Sequence, residues 1–314
     1  MEANKLICAD CVEWMRAQPA DSVDLVFGSP PYEAQRTYGT GFDLKGQAWV
    51  DWMVEVFRAS LHISRGLVAF VVEGNTRQYR WSATPALLMA DLHRAGINLR
   101  KPPIYKRVGI PGSGGPDWLR NDFEFIVCAT KPGKLVWSDN TAMGHPPKWA
   151  PGGAMSNRLS SGTRVNQWGP VGGPRGMGSR RPNGDIQDRT RPSHKRSHTK
   201  RETNGEMRSQ SYGVPVKANP GNVIECIVGG GVMGSKLSHD NEAPFPERLA
   251  EFFVQSYCPP GGITLDPFVG SGTTTAVARK HGRRWVGLDV RESQIELARY
   301  RMIEAKLKSR KETN

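Results

Sequence analysis

Short runs of β-branched and other apolar residues alternate with longer segments of helical period in residues 1–139 and again in residues 218–314. This alternation is typical of an α/β protein with a mostly parallel sheet and helices on both faces. Before residue 140 it predicts strands at 6–9, 23–27, 67–72 and 125–129, and helices at 49–63 and 85–95. After residue 217 it predicts strands at 263–266 and 285–289, and helices at 246–257, 273–281 and 292–308. We expect both parts to contribute strands to one sheet.

Residues 140–217 interrupt this pattern. They hold 12 Gly and 8 Pro among 78 residues, and both residue types weaken helices and strands. We therefore expect a loop-rich insert between two parts of one domain, with boundaries that give segments 1–139, 140–217 and 218–314.

Local sequence in the first part adds two expectations. Three prolines among glycines at 98–115 predict a loop that folds over a site. In the helix predicted at 49–63, the aromatic residues Trp49, Trp52 and Phe57 recur at helical spacing, so we expect them in the core.

The positive charge of the chain is concentrated in the insert. The whole chain has 43 Lys and Arg against 30 Asp and Glu, whereas residues 140–217 alone have 14 against 4, a net +10 of the total +13. Such a segment suits the phosphate backbone of double-stranded DNA, because its cations release counterions on binding. A solvated linker is the alternative interpretation. The clustered basic residues that we expect to contact DNA are Arg180, Arg181, Arg189, Arg191, Lys195, Arg196, Lys200 and Arg201.

Other protein classes are disfavoured by composition. The apolar runs are far shorter than the roughly 20 residues that a membrane helix needs, so no membrane partner is expected. Five cysteines, an odd number in a long chain, favour a reducing cytoplasmic setting. Cys8 and Cys11 form a single Cys-x-x-Cys without a second pair, so no metal site is expected.

A glycine-rich turn at residues 266–272, Asp-Pro-Phe-Val-Gly-Ser-Gly, lies between a predicted strand and a predicted helix. Glycines let a ligand approach the backbone, and the helix N-terminus offers free N–H groups. A P-loop requires Lys after its last Gly, where Thr273 stands, and a dinucleotide fingerprint requires a third Gly at Thr275. Asp289 ends the next strand about 20 residues later, where an acid binds ribose hydroxyls. The pattern favours an adenosine ligand without pyrophosphate, and S-adenosylmethionine fits it.

A second turn, Ser29-Pro30-Pro31-Tyr32, follows the strand predicted at 23–27. The prolines end the strand and lack N–H groups, so the carbonyls and the Ser29 hydroxyl point outward as rigid acceptors. Tyr32 adds an aromatic face beside them. An enzyme that holds a flipped base by its exocyclic amine needs this combination.

The two turns together resemble those of the DNA amino-methyltransferases of the β arrangement, in which the catalytic tetrapeptide comes first and the cofactor turn last. The resemblance covers nearly the whole chain and implies a Rossmann-like, S-adenosylmethionine-dependent methyltransferase fold. It assigns residues 140–217 to target recognition, admits a cognate restriction endonuclease as partner and leaves the oligomeric state open. It implies catalytic roles for Ser29, Pro30, Pro31 and Tyr32. It implies cofactor contacts for Asp10, Asn241, Phe245, Asp266, Phe268, Gly270, Ser271, Gly272, Thr273 and Asp289.

In this family Ser-Pro-Pro-Tyr is usually associated with cytosine N4 methylation, so that is the expected activity. The expected mechanism stacks a flipped cytosine on Tyr32 and directs its amine hydrogens to the Ser29 hydroxyl and the Pro30 carbonyl. Methylation of adenine N6 or of an RNA base is the main alternative, and an inert DNA-binding module is a remote one. Methylation at cytosine C5 would require a Cys nucleophile, and we expect Cys258, which precedes a proline, to be structural.

Overall fold

The computed structural model describes residues 1–33, 42–109, 116–146, 217–228 and 245–312, with two short strands at 200–201 and 207–208. The chain divides into two compact units, Met1–Met143 with Gly221–Asn314, and Gly144–Pro220. In the second unit, the described residues include an antiparallel pair formed by β9 (Lys200–Arg201) and β10 (Met207–Arg208).

The first unit holds the remaining described elements. Its strands are β1 (Lys5–Cys8), β2 (Val23–Gly28), β3 (Ser64–Val72), β4 (Thr76–Arg77), β5 (Arg80–Trp81), β6 (Leu99–Arg100), β7 (Ile104–Val108), β8 (Phe123–Ala129), β11 (Val223–Ile227), β12 (Ile263–Asp266) and β13 (Arg284–Asp289). Its helices are α1 (Cys11–Ala17), α2 (Gln47–Ile63), α3 (Thr84–Arg94), α4 (Glu247–Tyr257), α5 (Thr273–Lys280) and α6 (Glu292–Glu312).

Among these elements, nine strands form one sheet in the order β1-β13-β12-β2-β3-β8-β7-β11, with β6 paired to β8. The five strands from β1 to β3 are parallel, whereas β8 runs antiparallel to both of its neighbours in that order. Leu25 of β2 pairs with Thr264 of β12, so the prediction that the two parts share a sheet is confirmed. The carboxyl ends of these parallel strands open on one edge, where ligands bind in α/β proteins.

Helices cover both faces of the sheet, so successive side chains of a strand enter different cores. On β3, Val68 and Phe70 pack with α1, α2 and α3, whereas Ala69 and Val71 pack with α4 and α5. All four are at most 1% exposed. A strand buried on both faces reads as a continuous apolar run, which explains why the predicted strands were located well.

The prediction of a loop at 98–115 is wrong for the residues that the structure describes there. β7 lies between β8 and β11, and its Tyr105 is buried. The prolines at 102 and 103 lie between β6 and β7 and separate two strands.

The short helix α1 was not predicted, because seven residues carry little helical period. Asp10 caps this helix by accepting hydrogen bonds from the N–H groups of Val12 and Glu13.

Candidate active site

The two turns meet because β2 and β12 are neighbours. A Cβ added to Gly28, the last residue of β2, would overlap Oδ1 of Asp266, the last residue of β12. The absence of a side chain at Gly28 thus leaves room for the Asp266 carboxylate. Residues distant in the sequence are in direct contact at the carboxyl edge of the sheet.

A pocket at this edge is lined by residues of both turns. From the first part of the chain, the lining includes Asp10, Cys11, Ser29, Pro30, Pro31, Phe42 and Trp52. From the last part it includes Pro267, Phe268, Gly270, Asp289, Val290 and Arg291. One wall is aromatic: the ring centroid of Trp52 lies 5.0 Å from that of Phe42 and 5.7 Å from that of Phe268. The pocket therefore joins carboxylates, hydroxyl and carbonyl acceptors and an apolar aromatic wall.

Two carboxylates hold the glycine turn. Asp266 accepts from the Phe268 N–H at 3.0 Å, and Asp289 accepts from the Gly270 N–H at 3.2 Å. Burial raises the pKa of Asp266 to about 7 and also raises the pKa of Asp289. Asp289 also lines the pocket, so its carboxylate would gain from a ligand that supplies hydroxyl donors, whereas Asp266 is not among the lining residues.

Behind the turn, a buried arginine braces it. Arg301 of α6 is 1% exposed, and its Nη1 donates to the hydroxyls of Ser271 at 3.3 Å and Thr273 at 3.0 Å. Its Nη2 lies 2.8 Å from Oε1 of Glu247, at the start of α4. Gly272, with φ +84°, takes the left-handed conformation that the turn requires and packs closely on Ala298 of α6.

Hydrogen bonds with α2 and with β3 hold the Ser-Pro-Pro-Tyr turn in place. The buried Trp49 of α2 donates from its indole Nε1 to the Pro31 carbonyl at 2.9 Å. The Ser29 hydroxyl lies 3.2 Å from the Tyr32 hydroxyl and 3.4 Å from the Val71 carbonyl of β3. These contacts hold the turn against the carboxyl end of β3.

Two acids lie beside this turn that sequence reasoning did not identify. Glu124 of β8 accepts from the Tyr32 hydroxyl at 2.7 Å and pairs with Arg107 of β7 at 3.4 Å. Glu73, just after β3, accepts from the indole N–H of Trp81 at 3.2 Å, and burial raises its pKa. An isolated acid in a strand pattern carries no signal of function, so only the sheet order reveals them.

The structure brings part of the predicted set to the pocket. Asp10, Ser29, Pro30, Pro31, Phe268, Gly270 and Asp289 line it. Four further residues support the glycine turn without lining the pocket: Asp266, Ser271, Gly272 and Thr273. The hydroxyl of Tyr32 contacts the hydroxyl of Ser29, which lines the pocket.

The other predicted residues lie away from the pocket or outside the residues that the structure describes. Phe245 packs edge-on against Phe27, at 5.6 Å between ring centroids, and is not among the residues lining the pocket. Asn241 and the insert residues Arg180, Arg181, Arg189, Arg191, Lys195 and Arg196 lie outside the described residues. Lys200 and Arg201 form strand β9.

Of the aromatic side chains that we expected in the core, two are buried there and one also lines the pocket. Trp49 and Phe57 are buried in the core as predicted, whereas Trp52 also lines the pocket. Cys258 is buried, and burial raises its pKa to about 11, as expected of a structural thiol. Within the described ranges, no helix is long and apolar enough to cross a membrane, and no group of three acids, histidines or cysteines is arranged to hold a metal.

Comparison with known sequences gives a family. A sequence model described as DNA methylase matches residues 23–300, which include both turns and the insert between them. The DNA adenine methyltransferase YhdJ of Escherichia coli K12 is 24% identical over 306 residues, 96% of this chain and 83% of that enzyme. The type II methyltransferase M.ScaI of Streptomyces caespitosus is 36% identical over 86 residues, which span 27% of this chain and only 28% of that enzyme.

Two solved structures share the fold. The PvuII cytosine-N4-specific DNA methyltransferase aligns with a TM-score of 0.62 at 14% identity, over 96% of this chain and 86% of that one. A Thermus thermophilus protein described as a DNA modification methylase, solved with S-adenosyl-L-methionine, aligns with a TM-score of 0.53 at 22% identity, over 96% of this chain and 93% of that one. The predicted fold class, a Rossmann-like α/β methyltransferase fold, is confirmed.

Proposed function

The chain belongs to the DNA methylase family, and from this premise we propose that it methylates the exocyclic N4 amine of a cytosine flipped out of double-stranded DNA. One observation carries the proposal: Ser29, Pro30 and Pro31 line the same pocket as Phe268, Gly270 and Asp289. A group that donates a methyl and a group that accepts it must share such a space, since their reacting atoms have to approach to about 3 Å.

The proposed methyl donor is S-adenosyl-L-methionine, and the residues present fit its chemical groups. When bound, the donor supplies an electrophilic methyl on a positively charged sulfonium. Asp289, at the end of β13, would bind the ribose hydroxyls, and the apolar wall of Phe42, Trp52 and Phe268 would contact the adenine ring. Asp266 is not among the residues that line the pocket, so its proposed part is indirect: its carboxylate accepts from the Phe268 N–H and holds the shape of the turn.

On the acceptor side, the chain orients an amine. The Ser29 hydroxyl and the Pro30 carbonyl would accept the two amine hydrogens, which turns the nitrogen lone pair toward the donor. The amine nitrogen would form the new bond to the methyl carbon as the bond from that carbon to sulfur breaks, the sulfonium would leave as a neutral thioether, and the amine would then lose one hydrogen to water as a proton. Both acceptors would also stabilise the positive charge that develops on nitrogen during attack. Pro30 is buried and Ser29 is half-buried, so water would screen this charge less than at an open surface, and such acceptors would be more effective.

The proposed target-binding region is the basic insert at 140–217. Its net charge of +10 suits a DNA backbone, and it lies in the chain between the two turns. A cognate restriction endonuclease is a further part of the proposal, because M.ScaI, which is similar over 86 residues, is a type II methyltransferase.

Adenine N6 is the second candidate target. YhdJ, which aligns with nearly the whole chain, is named as an adenine methyltransferase. We favour cytosine because Ser29 stands where adenine enzymes of the resembling family more often carry Asp or Asn.

Nucleoside mass spectrometry of DNA from cells that express the protein tests the proposal. We expect N4-methylcytosine with the wild-type chain and its loss with Ser29→Ala, while binding of S-adenosylmethionine, measured by calorimetry, stays near normal. N6-methyladenine would instead establish the second candidate. Unmodified DNA from cells that contain folded, cofactor-binding protein would refute both.

A further inference from the structure

A chain of hydrogen bonds leads from the pocket into the sheet. The Ser29 hydroxyl contacts the Tyr32 hydroxyl at 3.2 Å, and the Tyr32 hydroxyl contacts Oε2 of Glu124 at 2.7 Å. The side chain of Glu124 is 13% exposed, so solvent competes little for this carboxylate. The 2.7 Å contact is in the range of strong, charge-assisted hydrogen bonds.

The carboxylate of Glu124 determines which group donates in each of these hydrogen bonds. An ionised carboxylate accepts hydrogen bonds and cannot donate them, so Tyr32 must donate its single hydroxyl hydrogen to Glu124. The Tyr32 oxygen is then an acceptor for the hydrogen of Ser29. The other partner of Ser29, the Val71 carbonyl at 3.4 Å, is also an acceptor only. In either case the hydrogen of Ser29 points into the protein and its lone pairs face the pocket.

Arg107 favours the ionised form of Glu124. Its Nη1 lies 3.4 Å from Oε1, the carboxylate oxygen that does not contact Tyr32. Arg107 is itself held by the Asn121 carbonyl at 2.8 Å. Opposite charge at this distance stabilises the Glu124 carboxylate against the like charge of Glu73, which is itself weakened because burial raises the pKa of Glu73.

We infer that Glu124 is a positioning residue which, through Tyr32, makes the Ser29 hydroxyl an acceptor toward the amine of the target base. The inference rests on the proposed function, because only an amine substrate needs an acceptor at Ser29. A Ser29 hydroxyl that donated into the pocket would oppose the amine hydrogens and leave the nitrogen lone pair misdirected. Glu124 touches neither base nor cofactor in this scheme and acts on the rate alone.

Single-turnover methyl transfer in a double-mutant cycle tests the inference. Glu124→Gln keeps the shape of the side chain and removes its charge, and Tyr32→Phe keeps the aromatic ring and removes the relay. We expect each to lower the rate between about 10-fold and 100-fold, the effect of losing one hydrogen bond to a charged group. The double variant should be no slower than Tyr32→Phe alone, because Glu124 acts through Tyr32. The Kd for S-adenosylmethionine and the KM for DNA should change less than about twofold, since neither side chain binds the cofactor or the DNA backbone in this scheme.

Glu225→Gln is the matched control. Glu225 is a sheet glutamate on β11, paired with Lys106 of β7 at 2.9 Å and 60% exposed, and its loss should leave the rate unchanged. A wild-type rate in Glu124→Gln, or losses that add fully in the double variant, would overturn the inference. If Glu124→Gln fails to fold, Tyr32→Phe decides alone, since an unchanged rate there excludes the relay. Failure of the wild-type chain to methylate any DNA would refute the proposed function instead.

Discussion

Replacing Asp266 by Asn should stabilise the cofactor-free protein at neutral pH, and the gain should disappear in acid. Asp266 is 1% exposed, and burial raises its pKa from 3.8 to about 7. At about pH 8 the folded protein must therefore carry a buried negative charge, whereas the unfolded chain exposes the same charge to water. Asn has almost the same shape and carries no charge, so it avoids this penalty.

The two pKa values set the size of the effect. A shift of about 3 units at about 1.4 kcal/mol per unit gives about 4 kcal/mol. Because the folded pKa is the higher one, the contribution of Asp266 to stability is complete below pH 3.8 and is lost as the pH rises to about 7. The stability of Asp266→Asn relative to wild type should thus increase by about 1.4 kcal/mol per pH unit over this window and then level off.

Urea denaturation of both proteins at pH 5, 6, 7 and 8, without cofactor, measures this difference. Loss of the hydrogen bond that Asp266 accepts from the Phe268 N–H would shift the stability difference between variant and wild type by the same amount at every pH, without changing its slope. Asp43→Asn, at an exposed position, is the control for the substitution itself. A difference for Asp266→Asn that is constant from pH 5 to 7, or that falls as the pH rises, would refute the burial argument.

Two further substitutions test the support of the pocket. Gly28→Ala should destabilise the protein by about 1–3 kcal/mol and weaken the binding of S-adenosylmethionine in calorimetry, because the new Cβ overlaps the carboxylate of Asp266. Gly221→Ala is the control, because a Cβ at that position meets open space. Equal effects of the two substitutions would contradict the close packing at Gly28. Arg301→Ala should cost about 2–5 kcal/mol in urea denaturation, since it empties a buried site and leaves the hydroxyls of Ser271 and Thr273 without their donor. The exposed Arg299 on the same helix is the comparison: Arg299→Ala should cost less than about 1 kcal/mol, and a similar cost for both would argue against a bracing role.

Sequence reasoning succeeded where local chemistry decides structure. Consecutive prolines at 30 and 31 end β2 at Gly28, and glycines 270 and 272 permit the positive φ angles of the turn before α5, whatever the rest of the chain does. The buried strands were recognisable because burial on both faces requires continuous apolar residues. The prediction is wrong at β7, because the prolines that indicate a loop lie between two strands, β6 and β7.

Only the tertiary structure decided which distant residues meet. Strand order places Asp266 against Gly28, and antiparallel β8 carries Glu124 to Tyr32 across 92 positions of sequence. Trp52 follows the same apolar period as its core neighbours, yet it lines the pocket because α2 passes the carboxyl edge of the sheet. Periodicity records which face of an element is apolar; it carries no information about which element packs there. The sequence by itself therefore determined the two turns and their chemistry, whereas the order of the strands determined that they form one site.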